Sequence, residues 1–156
     1  METSNLDNDK PSKELRKACR DGHFASAEKS LTLGANINAK DGRGWSALHL
    51  AIPKNHIEIV KWLILQGASV NSTTNESSTP LLVAAYNGKV DICKLLLENG
   101  ADLEIKDHEG KTALDIALQR KKSLVVNLLS TWKQKEKSEV INEPTNKKLR
   151  ISKTIS

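Results

Sequence analysis

Apolar residues run along the chain in short blocks of helical spacing, and the blocks return every 33 residues. Between residues 80 and 97, Leu81, Leu82, Val83, Ala84 and Ala85 form one block, Gly88 interrupts it, and Val90, Ile92, Cys93, Leu95, Leu96 and Leu97 form a second. The pattern predicts a first helix from about Pro80 to Tyr86. Thr79 is its N-cap, and Pro80 sits at the first helical position, where a missing N–H costs nothing. The second block makes an apolar stripe broad enough to touch helices on both sides, and Gly100 supplies the left-handed end of that helix. Gly34, Gly67 and Gly100, each followed by Ala, keep this spacing, as do Leu48, Leu81 and Leu114. An array of that period buries its core by stacking neighbouring units, and it normally offers an extended surface to another macromolecule.

Aligned on their glycines, the units span about 12–40, 41–73, 74–106 and 107–132, the first of them abbreviated. Ser46, Thr79 and Thr112 cap the first helices, and Ala51, Ala84 and Ala117 are small where each first helix meets its neighbour. His49 is placed to hydrogen-bond across its own turn and to link adjacent loops. Leu82 and Asp115 hold the same position in the following units, so a weaker polar bridge is expected there. Pro53 should shorten or tilt the helix before it. Asp41 and Asp107 open turns that contain Gly44 and Gly110, whereas the middle turn, Thr74-Asn75-Glu76-Ser77, has neither residue type and is expected to be looser or differently shaped. Ser26 and Ser30 in the first unit, and Lys121, Lys122 and Ser123 in the last, are polar where the terminal units of a stack meet water.

Composition narrows the class. Apolar residues make up 38% of 156, enough for a modest core, and aromatics only 3%, so the core is built of aliphatic side chains. No run reaches the roughly 20 apolar residues that span a bilayer, and the first residues do not read as a signal peptide. Cys19 and Cys93 fall inside apolar helical stretches and do not suggest a disulfide framework. The expectation is an intracellular protein, cytoplasmic or nuclear. Of the formal +5, the segment 133–156 contributes seven Lys or Arg against three Glu, which leaves the repeat body too balanced for a nucleic-acid platform. Residues 1–11 and 133–156 are expected to be disordered, the latter beyond a short helical extension.

No enzyme signature emerges. His23, His49, His56 and His108 are scattered over different units, neither cysteine has zinc-site spacing to them, and no Gly-rich loop precedes Lys-Ser or Lys-Thr. No catalytic, cofactor or metal residue is assigned, and no cofactor is expected.

The segments Trp45-Ser46-Ala47-Leu48-His49-Leu50-Ala51, Ser78-Thr79-Pro80-Leu81-Leu82-Val83-Ala84-Ala85 and Lys111-Thr112-Ala113-Leu114-Asp115-Ile116-Ala117 resemble the ankyrin repeat, as do the breaks at Asn55-His56 and Gly88-Lys89. So do the closing turns that begin Gly67-Ala68 and Gly100-Ala101, and the resemblance covers about 12–132. It implies an all-α solenoid of stacked helix-turn-helix units with β-hairpin-like finger loops. It also implies a noncatalytic protein-binding module, monomeric outside its complex, that uses its fingers and the concave face of its first helices as adaptor, scaffold or inhibitor. Carried onto this chain, the partner-binding positions are Arg43, Trp45, Lys54, Glu76, Ser78, Tyr86, Asn87, His108, Glu109 and Lys111. Trp45 stands out, since a polar residue would serve folding equally well before that cap; with Arg43 and Tyr86 it forms the expected contact cluster. Trp62, which aligns with Leu95, and Trp132, at the end of the last unit, read as structural. Lys147, Lys148 and Arg150 form a short basic cluster of the nuclear-import type, which raises a second reading: a nuclear regulatory protein that sequesters or recruits a transcriptional or cell-cycle factor. Electrostatic binding of nucleic acid or an anionic membrane by the tail ranks below both, because Glu136, Glu139 and Glu143 interrupt its cations.

Overall fold

A computed structural model describes residues 9–155, with side chains through residue 140. The described residues form eight helices: α1 (Lys10–Asp21), α2 (Phe24–Thr32), α3 (Ala47–Ala51), α4 (Ile57–Leu65), α5 (Pro80–Asn87), α6 (Val90–Glu98), α7 (Ala113–Gln119) and α8 (Ser123–Ile155). They pair as four helix-turn-helix units, and each first helix packs on its own partner and on the first helix of the next unit. No strand occurs among the described residues.

The predicted caps start the first helices. Ser46, Thr79 and Thr112 each accept, through the side-chain oxygen, the N–H of the residue three positions on, which satisfies one of the orphan donors at a helix start. The helix α3 spans 5 residues where α5 spans 8. Pro53 accounts for the difference, since it has no N–H to continue the ladder. Between the helix layers Leu48, Leu81, Leu96 and Leu63 are at most 1% exposed, and Ala51, Ala84 and Ala117 are fully enclosed where first helices meet. Burial of a leucine at such a site is worth about 2 kcal/mol, and adjacent layers share that burial. Cys19 and Cys93 belong to the same core, and burial pushes both thiols up to about 12, so they remain protonated and serve as small apolar groups. Trp62 packs on the core edge-to-face against Phe24, ring centroids 5.3 Å apart, and Trp132 covers the last layer.

Three expectations change. The middle finger keeps the shape of its neighbours. The Thr74 hydroxyl accepts the N–H groups of Glu76 and Ser78 at 3.3 and 3.2 Å, as the Asp41 carboxylate accepts those of Arg43 and Trp45 at 2.9 Å each. Ser77, at φ 60°, takes the left-handed place of Gly44 and Gly110. Ser30 does not meet water: it is 5% exposed, and its hydroxyl donates to the Ser26 carbonyl at 2.9 Å. Helix bounds differ too. Lys10 and Pro11 lie in α1, and α8 continues through Ile155 instead of ending soon after Trp132. Lys133, Lys135, Glu136 and Lys137 are strong helix formers, and Lys133 ties the extension back to the third unit by an ion pair with Glu104 at 2.9 Å. Residues 1–8 lie outside the described residues, as do the side chains of Lys147, Lys148 and Arg150.

The break between the helices of a unit also uses a left-handed residue, at Gly22, Asn55, Gly88 and Lys121. Lys121 is exposed and bears the strain of φ 56° without the tolerance that glycine or asparagine has for that region. Lys121→Gly is expected to stabilise the protein by roughly 0.5–1 kcal/mol, the relief of strain outweighing the added freedom of the unfolded chain. A urea midpoint that rises would bear this out, and one that falls would refute it.

Candidate functional site

Each finger closes on itself through two backbone hydrogen bonds: Asp41 N–H to Trp45 C=O at 2.9 Å, with counterparts from Thr74 to Ser78 and Asp107 to Lys111 at 3.0 Å, and Gly44 N–H to Asp41 C=O at 2.9 Å, with counterparts from Ser77 to Thr74 and Gly110 to Asp107. Successive fingers are joined at their tips, where Asn75 N–H donates to Arg43 C=O and His108 N–H to Glu76 C=O, each at 3.0 Å. These few bonds, repeated at the period of the chain, make the fingers hairpin-like without forming a strand, and they hold the tips in a row.

One side-chain bridge reinforces the row beneath the tips. Nδ1 of the wholly buried His49 accepts the Ser46 N–H at 3.2 Å, which leaves the proton on Nε2 to donate to the Ser78 carbonyl of the next finger at 3.0 Å. Burial pushes the His49 pKa down to about 4, against a smaller upward pull from the Ser78 carbonyl it bonds. The bridge is absent from the next layer, where Leu82 packs in the core. In the last unit Asp115 accepts the Thr112 N–H at 3.0 Å and closes only its own capping box. Those Thr112 bonds hold the Asp115 carboxyl below its usual range.

Between the fingers and the first helices lies a groove of about 450 Å³. Tyr86 and Asn87 line it from the helix side, Trp45, Glu76, Ser78, His108 and Glu109 from the fingers, and Leu82, Val83 and Ile116 from below. Seven of the ten positions expected to bind a partner therefore converge on one surface. The other three do not line it. Arg43 lies against Trp45, its guanidinium 5.2 Å from the ring centroid, and pairs with Asp41 at 3.6 Å. Lys111 pairs with Glu109 at 2.7 Å, which raises the Lys111 pKa. Lys54 is exposed beyond the end of α3. Trp45 also packs on the core and lies 5.8 Å from the His49 ring, so it both supports the finger and walls the groove. Asp41, which holds this finger's turn, loses some solvation on burial, but the N–H groups of Trp45 and Arg43 outweigh that and keep its carboxyl below the usual range.

Sequence reasoning passed over Arg120, whose guanidinium stacks 4.0 Å from the Tyr86 ring centroid. The available signal was the period, since Arg120 occupies the repeat position of Lys54 and Asn87. It also passed over the apolar floor, because Leu82, Val83 and Ile116 read as core and are indeed almost wholly buried. The histidines stay apart: His56 bonds the Arg20 carbonyl at 3.1 Å, and His108 bonds Glu76 C=O at the finger tip. Among the described residues, no three His, Cys, Asp or Glu side chains are placed to hold a metal ion, and no helix is long and apolar enough to cross a membrane. The arrangement is an open trough with an apolar floor, aromatic walls and a polar rim, suited to grip a segment of chain.

A family model described as ankyrin repeats, in three copies, matches residues 15–107 and again residues 54–139. The two matches overlap and together cover all four helix pairs, apart from the first turns of α1 and the end of α8.

Proposed function

The chain belongs to the ankyrin-repeat family, and from that premise we propose that it is a noncatalytic adaptor, scaffold or inhibitor that holds a partner protein in the groove between its fingers and first helices. Ankyrin repeats are generally protein-protein interaction modules. The observation that carries the reading for this chain is the convergence of Trp45, Glu76, Ser78, Tyr86, Asn87, His108 and Glu109 on one trough, though they come from three successive units. Tyr86 is 48% exposed, and aromatic side chains of that kind contribute much of the energy of many interfaces. The chain is taken to act as a monomer outside its complex.

Replacing Arg43, Trp45 and Tyr86 together by Ala is expected to leave helicity in place and to weaken partner binding by about a hundredfold, the loss of two aromatic anchors. Partner binding that is unchanged in a folded triple variant, read by titration calorimetry with a purified captured partner, would move the function to another face. The basic cluster Lys147, Lys148 and Arg150 supports a second reading, in which the tail directs nuclear import of a regulator that sequesters or recruits a transcriptional or cell-cycle factor. That reading requires the Lys147, Lys148 and Arg150 to Ala variant to lose nuclear enrichment in cells.

A further inference from the structure

We infer that the segment held in this groove is basic: an extended stretch of a partner protein in which a Lys or Arg side chain faces the finger carboxylates while apolar neighbours rest on the floor. The inference rests on the groove being the partner site. Its ground is the charge of the lining. Glu76, Asp107 and Glu109 line the trough, and no Lys or Arg does, in a chain of formal charge +5. The basic excess of the protein therefore lies outside the lining, and this trough, walled by Trp45 and Tyr86, is acidic.

The three carboxylates differ in how far they are already satisfied. Glu109 is paired with Lys111 at 2.7 Å, and Asp107 accepts the N–H groups of Glu109 and Lys111 at 2.9 Å each. The Glu76 carboxylate makes no ion pair or hydrogen bond among the described residues, so it keeps its full capacity to accept from a cation. Arg43 and Arg120 do not neutralise it. Each stacks on an aromatic of the groove, Trp45 and Tyr86, and the carboxylate that Arg43 pairs with is Asp41. An incoming cation beside Glu76 would have a free carboxylate as partner. An acidic segment would meet three lining carboxylates and gain no lining cation. Like-charge juxtaposition of that kind excludes wrong partners more strongly than matched charges add affinity.

The test is selection of binders to the full-length chain from a random dodecapeptide display library, run in parallel on the Glu76→Lys variant and on a Trp45→Ala, Tyr86→Ala variant. The expected result is a set of peptides with Lys or Arg at one fixed position next to apolar residues, lost on the double-aromatic variant. Against Glu76→Lys, their affinity should fall about tenfold and the fixed position should turn to Asp or Glu. Peptides lost on the aromatic variant but without a basic preference, or bound equally by Glu76→Lys, would overturn the basic segment while leaving the groove as the docking site. Peptides still bound by a folded aromatic variant would overturn the groove itself. Self-association in sedimentation equilibrium that disappears when Lys147, Lys148 and Arg150 become Glu would make a second copy's tail the occupant and overturn the partner segment.

Discussion

Lowering the pH from 7 to 4 is expected to remove roughly 3 kcal/mol of stability through His49 alone. The folded-state pKa of His49 is about 4 against an ordinary 6.5, because the ring is buried. A depressed folded pKa means that the unfolded chain takes up the proton first. The contribution is therefore whole above pH 6.5, declines as the pH falls from there towards 4, and is gone below. Protonation would also set a hydrogen on Nδ1 against the Ser46 N–H that it now accepts, so that half of the capping box would be lost while Nε2 still donates to the Ser78 carbonyl. Lys40 disfavours the charged ring and Asp41 favours it, both weakly beside burial. Chemical denaturation at a series of pH values reads the slope directly. His49→Leu, which copies Leu82 of the next unit, should flatten the curve between pH 6.5 and 4 and cost about 1–2 kcal/mol at pH 7 for the partners left unbonded. Retention of the full slope in His49→Leu would show that another group is responsible.

Gly44→Ala is expected to destabilise the protein by about 3 kcal/mol, and Gly110→Ala by only about 1 kcal/mol. Both glycines hold φ near 80° in equivalent finger turns, so both substitutions incur left-handed strain. The difference lies in the neighbour. A Cβ on Gly44 would stand 2.7 Å from the backbone nitrogen of Asn75, in the next finger, whereas one on Gly110 would meet nothing within 4 Å. Relief requires the fingers to separate, and with them the bonds from Asn75 to Arg43 and Gly42, both 3.0 Å. Urea unfolding of the two variants measures this difference; equal costs would mean that the inter-finger contact adds nothing to stability. Because the groove is built on the same finger row, Gly44→Ala should also weaken binding in the fraction that stays folded.

The period explains why so much of this was readable in the chain. Once Gly34, Gly67 and Gly100 set the register, each cap, small contact and apolar stripe falls at a predictable place, and Ser46, Thr79 and Thr112 cap as expected. Pattern failed where different chemistry does the same job. Thr74 replaces a carboxylate with a hydroxyl, and Ser77 replaces a glycine at φ 60°, so the middle finger looked irregular and is not. It failed again where a residue matters through space: Arg120 belongs to the last unit but reaches Tyr86 of the unit before. The floor of the groove was hidden for another reason, since Leu82, Val83 and Ile116 are core residues that also line the trough. The length of α8 escaped because Pro144, the many Lys, Glu, Asn and Ser, and only isolated apolar residues read as a tail, while its helix formers and the Lys133–Glu104 pair favour continuation.

The central claim, that a protein partner sits in the finger groove, is tested most directly by photo-crosslinking with p-benzoylphenylalanine placed singly at Asn87, inside the trough, and at Lys94, on the exposed side of α6. A purified partner that crosslinks from position 87 and not from 94, with the adduct suppressed by Trp45→Ala and Tyr86→Ala, is the predicted result. The same partner crosslinking from position 94, or from both positions without regard to the two aromatics, would contradict it.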